Sequence, residues 1–126
     1  MGKINEKLDL SGLEILIHQE KAKNFNSKPS LATRQCSMVA IEKISAFLPQ
    51  LIGGSADLSG SNNTKTNNSK IINSKNFNGN YIHYGVREHG MSAVMNGLAL
   101  YGSLIPYGGT FLIFSDYCKP SIRLSA

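Results

Sequence analysis

Along this chain the apolar positions fall into short runs with two different spacings. From Thr33 onward, Met38, Ile41, Ile44 and the pair Phe47 and Leu48 recur every three or four residues, which predicts one face of a helix. Thr33 is suited to cap its start, and Pro49 stops it. The next segment, LIGGSADL, opens apolar and passes through two glycines into small polar residues, as a short buried strand running into a loop does. NYIHYGV restores strand character. A second helical face follows Glu88, with Met91, Val94, Leu98 and Tyr101, and Gly102 offers its C-terminal stop. SLIPYGGTFLIF reads as a third strand, and SDYCKPSIRLSA begins a further helix in which the chain stops.

Two stretches stand outside this alternation. Residues 1–30 mix charged and apolar residues around LEILIHQEKAKNF and reach a break at Ser27, Lys28 and Pro29; a lead-in or linker holding a short amphipathic helix is expected. Residues 59–80, rich in Asn, Ser and Lys, are expected to form a solvated loop, too polar to pack and too rich in turn formers to extend a sheet. The domain proper is therefore expected over residues 31–126. Helices alternating with short apolar strands argue for an α/β fold with a mostly parallel sheet flanked by helices. In such sheets ligands sit beyond the carboxyl ends of the strands. The ligand side would then carry the loop after LIGGSADL, the loop holding Arg87 and Glu88, and the turn from Phe111 to Tyr117.

Composition narrows the classes without choosing among them. A chain of 126 residues, 41% apolar and 17% charged, suits one globular domain with a real core. Its net charge of +5 would serve nucleic acid, anionic membrane or phosphorylated metabolites. The lysines are scattered and not interleaved with aromatics, so no nucleic-acid partner is expected. Cys36 and Cys118 lie far apart without a partner motif, which argues for free thiols in a reducing compartment. No stretch approaches the roughly 20 apolar residues of a membrane span, and MGKINEKLDL lacks a signal-peptide core. A cytoplasmic protein without membrane partners is expected.

Glu88 sits where a strand yields to a helix, between Gly85 and Gly90. A first-turn glutamate complements the helix dipole, but one walled by Val86, Met91 and the aromatic segment would lose water and favour its proton-donating form. Phe111, Phe114 and Tyr117 recur three residues apart, as core packing or as a flat wall for a heteroaromatic ring. Asp57 is a turn or cap residue, or faces a ligand across the same crevice. Arg34 and Ser61 are the candidates for holding a phosphate, because a guanidinium makes paired hydrogen bonds to phosphate oxygens and a hydroxyl supplements them. His83 and His89 lack a carboxylate partner at fitting spacing, so no metal site is assigned to them. No glycine-rich phosphate loop is present.

The segments ATRQCS, IGGSADLSGSN, NYIHYGVREHGMSAVMNGLALYG, LIPYGGTFLIFSDY and IRLSA occur in this order. Together they closely resemble the pyrimidine-binding domain of transketolases, from about residue 30 to the last. The resemblance implies a truncated pyrimidine-binding domain of the thiamine diphosphate-binding fold, and the transfer of a two-carbon ketol unit from a ketose phosphate to an aldose phosphate. It implies thiamine diphosphate as cofactor, with Glu88 hydrogen-bonding its pyrimidine ring nitrogen and managing the catalytic proton. Phe111, Phe114 and Tyr117 would surround the pyrimidine, Asp57 would reach the cofactor and sugar region, and Arg34 and Ser61 would hold the phosphate of the sugar substrate. In the family a divalent metal, Mg or Ca, and the diphosphate are held by another domain with a glycine-aspartate-glycine motif, which this sequence lacks. Two expectations follow: a pyrimidine-side half-site that works with a separately encoded diphosphate-binding chain, or a non-catalytic remnant of a split or degraded transketolase gene. In either case the chain is expected to be inactive and poorly stable by itself. The Asn-rich segment departs from the family pattern.

Overall fold

Leu51–Ser55 form β1, the central strand of a three-stranded parallel sheet in the order β2-β1-β3, where β2 is Tyr81–His83 and β3 is Ile105–Gly109. The computed structural model describes residues 10–126, so the first nine residues of the expected lead-in lie outside the described residues. Gly53 faces Tyr81 on one side and Tyr107 on the other, and Leu51 pairs with Ile105. The two central glycines are needed for packing. A Cβ on Gly53 would fall inside the Tyr107 ring, and one on Gly54 would meet the Tyr84 ring and the Ile82 carbonyl. Bare backbone here lets two tyrosine rings lie directly across the strand.

The helix predicted from Thr33 is present as α2, Thr33–Phe47. Its cap is corrected: Ala32 occupies the N-cap, and its N–H donates to the Gln35 side-chain oxygen at 2.9 Å, so Thr33 is already helical. Leu48 is buried directly after the helix, whereas Phe47 is partly exposed. The second predicted helix is α4, Glu88–Tyr101, closed by Gly102 in the left-handed conformation (φ +83). Its inner face differs from the expected one. Met91 and Met95 lie over Gly108 of β3, while Val94 and Tyr101 are 44% and 66% exposed. The sulfur atoms fill the space that a bare glycine leaves, and this rotates the expected stripe partly out of the core.

The third strand is also shorter than its sequence suggested. It ends at Gly109; Phe111 is still extended, Leu112–Phe114 make a 3-10 turn, and α5 covers Ser115–Ser125. Cys118 and Ser121 of α5 are buried against α4, where Asn96 Nδ2 donates to the Ser121 carbonyl at 2.9 Å.

Within the lead-in, Ser11–Ser27 form α1, a helix with no buried residue. It lies on α2 through Glu20 and Lys43, 2.9 Å apart, and through Gly12, where a Cβ would come within 2.7 Å of the Phe47 ring.

The Asn-rich segment adds no strand to the sheet, but it packs where its polarity argued against packing. Ser59–Asn62 form a single turn, α3; Thr64 and Thr66 are buried; and Ile71 bridges to Tyr81 in parallel, with Ile72 N–H donating to the Tyr81 carbonyl at 2.8 Å. The asparagines make this possible by serving backbone groups that a sheet would otherwise serve. Asn73 Oδ1 accepts from Lys75 and Asn76 N–H at 2.9 and 3.0 Å, and Asn80 Oδ1 accepts from Lys70 N–H at 2.8 Å. No helix among the described residues is long and apolar enough to cross a membrane.

Candidate functional site

All three strands point their carboxyl ends the same way, so the segments after Ser55, His83 and Gly109 gather on one side of the sheet. Two adjoining crevices open there. The smaller, about 500 Å³, is lined by Ala56, Asp57, Leu58, Val86, Glu88, Phe114 and Tyr117. It unites four of the residues singled out from the sequence.

Glu88 is placed by a tight turn. Gly85 takes φ +68, which a glycine adopts freely, and Arg87 N–H then donates to the Gly85 carbonyl at 2.8 Å. The Arg87 guanidinium holds the turn by donating to the Tyr84 carbonyl at 3.0 Å. Glu88 thus becomes the first residue of α4 and is only 8% exposed. Among the described residues its carboxylate has no hydrogen-bond or ion-pair partner. Its oxygens open onto the crevice, where solvent or a ligand can meet them.

Asp57 follows Ala56 in the left-handed region (φ +62), which aspartate tolerates better than most residues, and is exposed. Its side chain is also unpartnered among the described residues. The aromatic residues form a stack: Phe111 and Phe114 have ring centroids 6.1 Å apart at 8°, and Phe114 and Tyr117 6.2 Å apart at 16°. Phe111, however, lines the other crevice. The stack is a wall shared by the two.

That second crevice, about 1000 Å³, brings Arg34 from the first turn of α2 beside Ser61 from α3, with Thr64, Tyr107 and Phe111 in its lining. Neither the Arg34 guanidinium nor the Ser61 hydroxyl has a partner among the described residues. The predicted residues therefore divide into a carboxylate-and-aromatic crevice and a cation-and-hydroxyl crevice. The histidines join neither: His89 Nδ1 lies 3.2 Å from Ser121 Oγ, and His83 packs edge-on to Tyr81 at 5.3 Å. Among the described residues no group of three or more His, Cys, Asp and Glu is placed to hold a metal ion.

Sequence reasoning missed the tyrosines beneath this floor. Tyr107 is half-buried and donates to the Thr64 carbonyl at 3.0 Å; burial, and secondarily Tyr81 nearby, push its phenol up to about 12. Burial also raises Tyr84. The available signal was a tyrosine at a strand position opposite a glycine.

Residues 29–126 match the pyrimidine binding domain of transketolase. The chain belongs to the transketolase family. The transketolase of Cereibacter sphaeroides is 51% identical over 121 residues, covering 96% of this chain and 18% of the relative. That of Sinorhizobium medicae is 58% identical over 96 residues, covering 76% of this chain and 14% of the relative. Among solved structures, transketolase of Pichia stipitis in complex with sedoheptulose-7-phosphate superposes with a TM-score of 0.76 at 44% identity, covering 78% of this chain and 15% of that one. Transketolase from Leishmania mexicana gives 0.73 at 40% identity, over 78% of this chain and 16% of that one. The chain thus spans less than a fifth of the length of these transketolases, and their pyrimidine-domain fold, a parallel sheet flanked by helices, is its own.

Proposed function

We propose that this chain supplies the pyrimidine-side half-site of a transketolase reaction, the transfer of a two-carbon ketol unit from a ketose phosphate to an aldose phosphate. The observation that carries it is the Glu88 carboxylate, which has no partner among the described residues and shares a crevice with the stacked rings of Phe114 and Tyr117. An aminopyrimidine suits that pair of features, because its ring nitrogen gives the carboxylate a hydrogen-bond partner and its flat face meets aromatic surface.

Bound there, thiamine diphosphate would supply the carbon–carbon bond cleavage and formation. Glu88 would meet the pyrimidine ring nitrogen and hold or release a proton at that atom. Phe114 and Tyr117, continued by Phe111, would flank the ring, and Asp57 would face the cofactor and sugar region. Arg34 and Ser61 would hold the phosphate of the sugar substrate, through charge-assisted hydrogen bonds from the guanidinium and one from the hydroxyl. The diphosphate and its divalent metal would be held by a separate diphosphate-binding chain, working with this one in the cytoplasm.

The test is to replace the matched region of the Cereibacter sphaeroides transketolase with residues 29–126 and measure ketol transfer. Turnover within about tenfold of the parent, a barrier difference of about 1.4 kcal/mol, is expected. A folded chimera that binds thiamine diphosphate but does not turn over would favour a non-catalytic remnant.

A further inference from the structure

The single turn of α3 that presents Ser61 is held at both ends by hydroxyl groups buried beneath it. At its start, the Tyr81 phenol donates to Ser59 Oγ at 2.9 Å, with the Tyr81 ring wholly buried. At its end, Asn62 Nδ2 donates to Ser55 Oγ at 2.9 Å, and Ser55 also accepts from Leu58 N–H at 3.0 Å. Thr64 joins the two ends. Its hydroxyl lies 2.8 Å from both Asn62 Oδ1 and the Tyr81 oxygen, with one hydrogen for the two acceptors. Tyr107 then fixes Thr64 from the other side by donating to its carbonyl at 3.0 Å. The Thr64 methyl fills the space where Gly109 has no side chain, so the end of β3 rests on the same residue. Among the described residues, Ser61 itself makes only the backbone bond from its N–H to the Leu58 carbonyl, at 2.9 Å.

A four-residue helix has too few internal hydrogen bonds to keep its own shape. The position of Ser61 relative to Arg34 must therefore come from what clamps the turn: beside Ser55, that is the network of Thr64, Tyr81 and Tyr107. We propose that these three are positioning residues for the phosphate crevice: they hold Ser61 where its hydroxyl and the Arg34 guanidinium converge on one phosphate group of a phosphate monoester. This rests on assigning phosphate binding to Arg34 and Ser61. Thr64 and Tyr107 line the crevice with their hydroxyls already engaged inside the clamp, and a loosened clamp reduces affinity because ordering the turn then falls to the binding step.

The experiment is a titration of the full chain with inorganic phosphate, followed by the ¹⁵N–¹H signals of Ser61 and Arg34. Thr64→Val and Tyr107→Phe each remove one clamping bond with little change in shape. Both are expected to weaken phosphate roughly two- to tenfold, the worth of about one hydrogen bond, with the signals of α4 and α5 unmoved. Thr64→Ser keeps the hydroxyl and is expected to bind as the parent does. If Arg34→Ala abolishes the response while Thr64→Val and Tyr107→Phe leave affinity unchanged, the positioning role is overturned and the phosphate assignment stands. If Arg34→Ala leaves the response intact, the phosphate assignment itself fails. Should Thr64→Val disturb signals throughout the chain, Thr64→Ser decides, and equal weakening by Ser would contradict the hydroxyl's role.

Discussion

The thiol of Cys118 donates to the carbonyl oxygen of Glu88 at 3.4 Å, and both residues are buried. This contact ties the first turns of α5, which follow the aromatic wall, to the first residue of α4, which carries the carboxylate. The spacing between Glu88 and Phe114 is therefore set by packing between the two helices rather than by the loop alone. Cys118→Ala should cost about 1 kcal/mol, from a small buried group and a weak hydrogen bond. A urea unfolding curve with an unmoved midpoint would show that the contact contributes nothing.

Stability should fall in strong alkali through the tyrosines under the site. Tyr107 is raised from 10.0 to about 12 by burial, so its neutral form is the folded one. Its contribution is whole below the unfolded value near 10 and is lost as the pH rises toward 12, because the unfolded chain releases the phenolic proton first. Tyr84 adds to the same slope, since burial raises it as well. Tyr107→Phe should flatten part of the decline between pH 10 and 12 and leave the Tyr84 part in place. Identical slopes for parent and variant in urea titrations would contradict the assignment.

In the chimeric transketolase, Arg34→Ala should raise KM for a phosphorylated ketose by about tenfold or more and leave an unphosphorylated ketose nearly unaffected. The guanidinium has no other partner among the described residues, so its removal takes away a charge-assisted contact and little else. Equal losses with both ketoses would argue that Arg34 serves the fold or the cofactor instead.

Much of this architecture was legible in the sequence, for reasons that particular residues make plain. Met38, Ile41 and Ile44 carry a helical period, and LIGGS carries a buried run between turn residues, so α2 and β1 followed from local pattern. The partition of the site did not. Phe111 and Phe114 are neighbours in sequence and in the stack, yet they line different crevices, because the chain changes from extended to 3-10 between them. The Asn-rich loop was misread because its polarity suggested solvent. Its asparagine side chains instead replace missing backbone partners, and Thr64 sinks beneath it onto two tyrosines distant in sequence. Contacts such as Thr64 with Tyr81 and Tyr107 arise only once the sheet has formed, and no local period announces them.

The central claim is that the Glu88 carboxylate manages a proton at the pyrimidine of thiamine diphosphate. Glu88→Gln in the chimeric transketolase tests it most directly, with ketol transfer and cofactor binding measured on the same preparation. The amide keeps the size of the side chain and can still meet the ring, but it cannot exchange the proton. Turnover should fall about a hundredfold or more, while the dissociation constant for thiamine diphosphate changes by less than about tenfold. Turnover near that of the parent chimera, with the cofactor bound, would contradict the account.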